Sequence, residues 1–378
     1  MRLTCEQEEL NRGLSAVARA IPTRSTLAIT QHILLEAEDD RITLSATDAE
    51  TIAITYTIAA SVQEPGGITM PSRLLSDFVA TLPHESIEMT LAERSRQVSL
   101  SCARNEASIG GMDPDDFPPI PPVDDSATVR VDAARLRRAL EQVVFAAATD
   151  DSRPVLTGVH FAMAKEELRL AAADGFRLAV HTMELPPEGP ERAVIIPARA
   201  LGQLTSLLAE AEGEVVMTFN AANTQVQFDL GHAKLVAQLI QGTFPNYDQL
   251  IPNDFSTRTE VSVAEFTRET RIGQIFARDG SGIVRLTANP GENVSTGRLL
   301  ITARAEDVGN NDGEIDAVVE GEEAQIAFNG RYLRDVLEVM NTDRVAIETS
   351  SSSSPGVLRP VGDDNYIHVV MPMFVQWD

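Results

Sequence analysis

The stretch Ala172-Ala173-Asp174-Gly175-Phe176-Arg177-Leu178-Ala179-Val180 combines an Asp-Gly turn signal with a short apolar run. An Asp-Gly pair favours a tight turn, and the apolar residues that follow favour a strand. The stretch Ala46-Thr47-Asp48-Ala49-Glu50-Thr51-Ile52-Ala53-Ile54 has the same order of a small residue, an aspartate and an apolar strand, 126 positions earlier (172 minus 46). This recurrence predicts that one structural unit repeats along the chain.

Two further blocks follow each copy of this motif in the same order. Residues 67–75 parallel residues 193–201, and each block predicts a strand, a proline at the first turn of a helix, and a Leu-rich helical face. Proline-containing segments at 116–121 and 244–252 then close the two units. Because three blocks recur in one order, we interpret them as a true repeat and not as a chance similarity of strand-turn-helix pieces.

The last third of the chain carries the same blocks in a more diverged form. Residues 325–333 repeat the strand-helix block, and residues 369–373 close the unit. Three equal units of a 378-residue chain would have 126 residues each (378 divided by three), which is an ordinary domain size. We therefore predict three domains, at residues 1–127, 128–255 and 256–378, each with about two helices and several strands.

Apolar residues at helical spacing predict two helices in each unit. We expect the helix after Pro71 to bury Leu74, Leu75, Phe78, Val79 and Leu82, and the third helix to expose Gln142 on the same side as its arginines. The acidic residues 306–323 predict a loop followed by an edge strand. The predicted helices cover residues 7–20, a segment after Pro71, residues 131–146, a segment after Pro197, a segment around Val263 and Phe266, and residues 329–340.

The charge of the chain is strongly acidic, but its bases are unevenly placed. The net charge is −25, from 56 acidic and 31 basic residues, which taken alone argues against a nucleic-acid partner. Lys165 and Lys234 are the only lysines, and the predicted helices bury one side and carry arginine on the other. An arginine face on one helix indicates only a solvated surface, whereas the same pattern on five helices predicts a segregated basic surface.

The composition also indicates the cellular compartment of the protein. No run approaches the roughly 20 apolar residues that a membrane-spanning helix needs, and the first residues lack the apolar core of a signal peptide. Cys5 and Cys102 are the only cysteines, which excludes a disulfide-based scaffold and favours a reducing environment. We expect a cytoplasmic protein with no membrane partner.

The sequence offers little catalytic chemistry. The six histidines show no metal-binding spacing, and there is no phosphate-binding glycine loop and no nucleophile elbow. Asp113, Asp115 and Asp116 could bind a hard cation together, as in a metal-dependent hydrolase, although a solvated linker is the simpler interpretation. An acidic scaffold protein is a further alternative. We predict no enzyme activity, no cofactor and no metal site.

With these repeats in view, the chain resembles the bacterial DNA polymerase sliding clamps, the beta subunits of the replicative polymerase. The resemblance extends over essentially all 378 residues, and it depends on several short motifs in a fixed order. The motifs are Arg153-Pro154-Val155-Leu156, residues 174–180, Gly242-Thr243-Phe244-Pro245-Asn246-Tyr247, Phe328-Asn329-Gly330-Arg331-Tyr332-Leu333, and Val369-Val370-Met371-Pro372-Met373.

The resemblance implies an α+β fold of three repeated clamp-type domains, with helices lining a central hole and antiparallel sheets outside. Two chains would close head to tail into a ring that encircles duplex DNA without reading its sequence. Arg24 matches a family position that contacts DNA, and the other candidates come from the assignment of helix faces. These other candidates are Arg73, Arg135, Arg137, Arg138, Arg199 and Arg334.

The resemblance further implies a hydrophobic pocket between the second and third domains, which captures short motifs of the replicative polymerase, the clamp loader and repair proteins. One departure from the family is Phe176, at a position where a polar residue is frequent. The implied pocket residues are Leu156, Ala173, Gly175, Phe176, Arg177 and Leu178 on one wall, Pro245, Gln249 and Leu250 in the linker, and Asn329, Tyr332, Val369, Val370, Met371, Pro372 and Met373 on the other wall.

The resemblance also implies a homodimer contact between the end of the first domain and the third domain. By position, Ala107 and Ile109 would meet Ile275 and Phe276. All four side chains are apolar, as is the contact in the family.

Overall fold

The computed structural model describes residues 1–120, 122–123, 127–185, 191–277, 282–292, 296–305 and 309–377. Residue 121, which ends the proline-containing block of the first unit, lies outside these ranges. The described residues contain six α-helices, two for each predicted domain. In chain order they are α1 (Gln7–Val17), α2 (Ser72–Thr81), α3 (Ala133–Val143), α4 (Ala198–Leu208), α5 (Val263–Ala277) and α6 (Gly330–Glu338).

The strands are numbered in chain order through the described residues. The first group is β1 (Arg2–Glu6), β2 (His32–Glu38), β3 (Arg41–Thr47), β4 (Ile52–Ala59), β5 (Ser61–Glu64), β6 (Gly66–Pro71), β7 (Ser86–Ala92), β8 (Gln97–Cys102), β9 (Asn105–Gly110), β10 (Ala127–Asp132), β11 (Gly158–Ala164), β12 (Glu167–Ala173) and β13 (Arg177–Glu184). The second group is β14 (Arg192–Pro197), β15 (Glu214–Phe219), β16 (Gln225–Asp229), β17 (Ala233–Gln238), β18 (Thr257–Ser262), β19 (Ile283–Asn289), β20 (Gly297–Ala305), β21 (Gly309–Gly321), β22 (Ala324–Asn329), β23 (Arg344–Thr349), β24 (Gly356–Pro360) and β25 (Tyr366–Val370).

The chain forms two compact units. The first contains Met1–Arg137 and Arg199–Gln241 and holds two sheets, of order β5-β1-β7-β8-β9 and β10-β15-β16-β17-β4-β3-β2-β6. In the larger sheet, β4 pairs antiparallel with β17 through Ile54 and Leu235, both of which are buried. Strands from the first and second predicted domains therefore belong to one continuous sheet.

The second unit contains Arg138–Leu185, Glu191–Ala198 and the described part of Gly242–Asp378. Its single sheet has the order β14-β11-β12-β13-β25-β24-β23-β18-β21-β20-β19-β22. Here β13 pairs with β25, which continues a sheet from the second predicted domain into the third. The second repeat is thus shared between the two units, because its strands join both neighbouring repeats.

The third helix begins later than predicted. Val131 lies in β10, where it is buried and pairs with Val215, so the helix starts at Ala133 and not at residue 131. The Asp132 carboxylate accepts the Arg135 backbone N–H at 2.8 Å, which satisfies one of the free donors of the first turn. Likewise Pro71 and Pro197 end strands directly before α2 and α4 and do not lie within the first helical turn.

Two predicted helix faces were wrong in part, although Leu75, Val79 and Leu82 are buried as predicted. On α2 the buried positions are Ser72, Leu75 and Val79, which leaves Leu74 55% exposed and Phe78 only half-buried. On α3, Gln142 is 1% exposed and not solvent-facing. Its side chain donates to the Val339 carbonyl oxygen at 3.3 Å, and it meets the His181 imidazole at 2.7 Å. Polar partners on other elements allow this glutamine to be buried.

The acidic segment was also misassigned. Residues 306–308 lie outside the described residues, and β21 occupies residues 309–321 as a strand of 13 residues. It is not an edge strand, because it pairs with β20 on one side and with β18 on the other. Its alternate residues Ile315, Ala317 and Val319 are buried, which explains how so acidic a strand lies inside a sheet.

Candidate functional site

The turn between β12 and β13 is fixed by its aspartate. The Asp174 carboxylate oxygen Oδ1 accepts the backbone N–H groups of Phe176 at 2.9 Å and of Arg177 at 3.0 Å. Gly175 has φ of 93°, and a Cβ there would lie 3.0 Å from the Arg153 guanidinium. Glycine therefore fits both the backbone conformation and the close approach of Arg153. The result is that Phe176 projects from the turn with 59% of its surface exposed.

The Arg177 side chain holds this turn in place through buried polar contacts. Its side chain is 7% exposed and forms ion pairs with Asp174 at 3.0 Å and Asp335 at 2.8 Å. It also donates to the Phe145 carbonyl oxygen at 2.8 Å, and its guanidinium lies 4.5 Å from the centre of the Tyr332 ring. A buried charge is tolerated only when it is paired and hydrogen-bonded, as it is here. Arg177 thereby fixes the turn against α6.

The chain end lies directly beside the turn. Leu178 pairs with Val369 and Arg177 with Val370 across β13 and β25. Beyond β25, the Met371 backbone N–H donates to the Phe176 carbonyl oxygen at 2.8 Å. The Met373 N–H then donates to the Ala327 carbonyl oxygen at 2.7 Å. The structure therefore brings together the two walls predicted from positions separated by almost 200 residues (371 minus 176 is 195).

The linker of residues 244–252 is held by contacts of its own, distinct from those that hold the turn. Phe244 stacks on His160 with ring centres 5.1 Å apart, and Arg169 lies 5.0 Å above the buried Tyr247 ring and 2.6 Å from Asp248. These contacts fasten the linker to β11 and β12 and leave Leu250 51% exposed. Among the described residues, none of the hydrogen bonds or ring contacts joins Pro245, Gln249 or Leu250 to Met371.

The predicted pocket residues divide by exposure into core and surface. Asn329 has a structural role as well, because its side chain accepts the Arg331 N–H at 2.9 Å and caps α6. Buried positions are Leu156, Arg177, Leu178, Val369 and Val370; partly exposed positions are Ala173, Asn329, Tyr332, Pro372 and Met373; exposed positions are Gly175, Phe176, Pro245, Gln249, Leu250 and Met371.

Below the turn lies a buried group of polar and aromatic side chains that the sequence analysis did not find. The His368 ring is completely buried, stacks on Phe145 with ring centres 5.5 Å apart, and lies 3.2 Å from the Tyr366 hydroxyl. Burial, reinforced by the Arg177 charge, lowers the pKa of His368 to about 3. Burial raises the pKa of Tyr366 well above its ordinary value. A histidine on a buried strand carries no sequence signal that would reveal this neighbourhood.

The predicted DNA-contacting arginines lie on accessible positions, and several have carboxylate partners. Arg24 is exposed, Arg135 is exposed, and Arg137 is half-buried. At least four of the seven lie beside acidic groups, which departs from a purely positive helix face. The four pairs are Arg73 with Asp77 at 3.8 Å, Arg138 with Asp363 at 2.5 Å, Arg199 with Asp48 at 3.7 Å, and Arg334 with Asp335 at 3.3 Å.

The four predicted dimer-contact residues differ in accessibility. Ile275 on α5 is 67% exposed, and Phe276 is half-buried. Ile109 is only 4% exposed, because on β9 it pairs with the buried Val98 of β8. Ala107 lies on the same side of β9, opposite Leu100, and is half-buried.

In the aspartate group at 113–116, Asp113 is held by local contacts. Asp113 forms an ion pair with Arg96 at 2.5 Å, and its carboxylate accepts the Asp115 N–H at 3.1 Å. In the part of the chain that the structure describes, no group of three or more His, Cys, Asp or Glu residues is placed to hold a metal ion. No helix among the described residues is long and apolar enough to cross a membrane.

The chain thus consists of repeated α+β units joined through continuous antiparallel sheets, with arginines on their helices and an apolar patch beside a turn. Comparison with protein families agrees along the whole chain. The N-terminal, central and C-terminal domain models of the DNA polymerase III beta subunit match residues 1–121, 130–246 and 248–374. The chain belongs to the DNA polymerase III beta subunit family.

Individual relatives support the same assignment. The beta sliding clamp of Synechococcus elongatus is 33% identical over 377 residues, covering 99% of each chain, and that of Staphylococcus aureus is 28% identical over 383 residues. The crystal structure of the Bacillus subtilis DNA polymerase sliding clamp matches with a TM-score of 0.91 at 26% identity, covering 100% of each chain. The fold is therefore the three-domain clamp fold, and the function is that of a processivity clamp in DNA replication.

Proposed function

We propose that two copies of this chain close head to tail into a ring that encircles duplex DNA. Three similar domains per chain support this arrangement, because a head-to-tail contact closes when the rotation between subunits is right. The six domains, bounded within each chain at 127/128 and 255/256, would place their helices around the hole and their sheets outside. The chain acts as an accessory subunit of the polymerase with no catalytic chemistry of its own, in the cytoplasm.

Arginines on the helices would contact the phosphate backbone without reading base sequence. Where both side chains of such an ion pair are exposed, the carboxylate is a weak competitor for phosphate, since an exposed pair contributes about 0–1 kcal/mol. Arg73, for example, is 96% exposed and lies 3.8 Å from Asp77. Charges farther away are screened, because the Debye length is about 8 Å in physiological salt. The net charge of −25 therefore leaves local phosphate contacts possible and discourages DNA from binding elsewhere.

Partner proteins would bind at the apolar patch around the turn 174–177. The observation that carries this site is the hydrogen bond between Met371 and Phe176, two residues whose apolar side chains are 45% and 59% exposed. Met and Phe suit a surface that accepts different partners, because methionine repacks around different anchors. The partners would be the replicative polymerase, the clamp loader and repair proteins, each offering a short apolar segment.

The ring would close through α5 and β9. Ile275 supplies exposed apolar surface on α5, and β9 is an edge strand with one unpaired backbone edge. Because the Ile109 side chain is buried, its strand would contribute mainly through its backbone and through Ala107. Phe276 would complete the apolar contact.

The fraction of protein retained on circular and on linear duplex DNA tests the proposed ring. A ring that holds DNA topologically stays on closed circular duplex and slides off the same duplex after linearisation by one cut. Gel filtration of clamp-loaded DNA before and after cutting measures the retained fraction. A second linear sample with both ends blocked by bound protein should keep the clamp, which separates sliding from simple loss of affinity. Equal retention on circular and open linear DNA would overturn the ring.

A further inference from the structure

One carboxylate on α6 is shared by three guanidinium groups. Asp335 is 16% exposed, and its oxygens lie 2.8 Å from Arg177, 3.3 Å from Arg334 and 3.9 Å from Arg331. Arg177 reaches it from the turn before β13, whereas Arg331 and Arg334 belong to α6 itself. Asp335 was not among the residues that the sequence singled out, since its partner Arg177 is 158 residues away.

The three arginines differ in what surrounds them. The Arg177 side chain is 7% exposed and buried against the peptide-binding turn, while Arg331 and Arg334 are 71% and 38% exposed. The two exposed arginines line an open cleft of about 440 Å³ between α5 and α6, together with Arg271 and Gln274. Three guanidinium groups around one cleft suit a phosphate group, which arginine binds through paired N–H donors.

We propose that Asp335 couples phosphate binding in this cleft to peptide binding at the turn 174–177. A phosphate draws Arg331 and Arg334 away from Asp335, and the carboxylate is then left to Arg177 alone. The buried Arg177 pair is screened less by salt than the exposed pairs, so it persists while they exchange. Asp335 is therefore a positioning residue: it holds Arg177, and Arg177 holds the turn that presents Phe176.

The coupling is expected to be positive and moderate. Arg177 also forms an ion pair with Asp174 and donates to the Phe145 carbonyl oxygen, so it stays in place without Asp335 but is held less firmly. We expect bound duplex to raise peptide affinity about fivefold, at the low end of typical coupling between two sites. By reciprocity, bound peptide raises the affinity for duplex by the same factor. This inference rests on the proposed DNA and peptide sites.

The test compares the affinity of a fluorescent peptide containing an adjacent Leu-Phe pair with and without saturating short duplex, for the full-length protein. In Asp335→Asn the peptide should still bind, but the duplex should no longer change its affinity. Glu338→Gln is the matched control, because Glu338 contacts Arg271 at 3.4 Å and Arg334 at 3.7 Å. This control should keep the fivefold effect. A purely structural role for Asp335 would weaken peptide binding equally with and without duplex.

A double variant tests the coupling by removing the two exposed arginines of the cleft. Arg331→Gln combined with Arg334→Gln removes both surface competitors for Asp335, so peptide affinity without duplex should already equal the raised value, with no further response to duplex. The proposal is wrong if the unmodified chain binds peptide but shows no response to duplex, or if Asp335→Asn keeps the full response. Absence of peptide binding to the unmodified chain would instead overturn the proposed pocket, and the coupling with it.

Discussion

Met371 and Phe176 are joined through the backbone, with the Met371 N–H 2.8 Å from the Phe176 carbonyl oxygen. One residue follows β25 and the other precedes β13, so the register between these strands sets the distance between their side chains. The strands themselves are buried, whereas Met371 and Phe176 are exposed. The sheet thus displays two apolar side chains on a rigid base, and a partner could bind there without rearranging the core.

We expect Met371→Ala to weaken binding of the Leu-Phe peptide about tenfold with little change in stability. Met371 is 45% exposed, so its contacts with a peptide are worth about 1.5 kcal/mol, while its loss leaves no cavity in the core. Fluorescence anisotropy measures the affinity, and thermal unfolding checks the fold. Phe255→Ala is the control, since Phe255 is 47% exposed outside the proposed pocket.

Leu178 is a poorer probe of the same site. It is 3% exposed, so Leu178→Ala should cost about 2–5 kcal/mol of unfolding free energy through the cavity it creates. Unchanged peptide affinity in Met371→Ala would remove this patch as the binding site.

The proposed dimer contact predicts that Ile275→Glu yields folded monomers. Ile275 is 67% exposed on α5, so the charge is tolerated in a free chain but cannot enter an apolar seam without a partner. Sedimentation velocity at micromolar protein should show the mass of one chain, and Phe276→Glu should do the same. Leu27→Glu, at a residue 53% exposed and outside the seam, should remain dimeric. A dimer that persists in Ile275→Glu would place the contact elsewhere on the chain.

The proposed phosphate contacts predict a change in salt dependence. Removing one contact should reduce the slope of log affinity against log salt concentration by about 0.9. We expect this for Arg73→Ala, whose side chain is 96% exposed. Arg94→Ala removes the same charge from the turn between β7 and β8 and should leave the slope unchanged. Equal slopes for the two variants and the unmodified chain would exclude Arg73 from the DNA contact.

The helices with regular apolar spacing and the Asp-Gly turn were predictable because their signals are local. The Leu-rich face predicted after Pro197 is buried in α4 through Leu201, Leu204, Leu207 and Leu208. The tight turn predicted from the Asp-Gly pair is present, and the Asp174 carboxylate accepts backbone N–H groups within it. Each of these features depends on residues within a few positions of one another.

Features that depend on distant partners could not be predicted. Gln142 follows the arginine face of α3 in the sequence pattern, but strand β13 and residue Val339 cover it and satisfy its amide. Arg177 was assigned to the pocket by resemblance. Its ion pair with Asp335 could not be predicted, because the two residues are 158 positions apart in the sequence and meet only in the folded chain. The wrong prediction of a loop and an edge strand within residues 306–323 has the same cause, because local acidity does not reveal that strands pair on both sides.

Because His368 is buried and neutral, we expect the free energy of unfolding to fall in mild acid. Its pKa is lowered by burial to about 3 in the folded chain, against an ordinary value near 6.5. The unfolded chain therefore binds a proton between these values and the folded chain does not, so this contribution to stability is complete above pH 6.5 and decreases as the pH falls toward 3. Between pH 6.5 and pH 5 the loss is about 2 kcal/mol. His181, whose pKa is lowered by burial to about 4, acts in the same direction.

Denaturant unfolding at several pH values should show a shallower decline for His368→Gln than for the unmodified chain. Tyr366→Phe removes the neighbouring hydroxyl but no histidine, so it should keep the full decline. If His368→Gln declines as steeply as the unmodified chain, His368 is not the buried neutral group that the structure places beneath the turn.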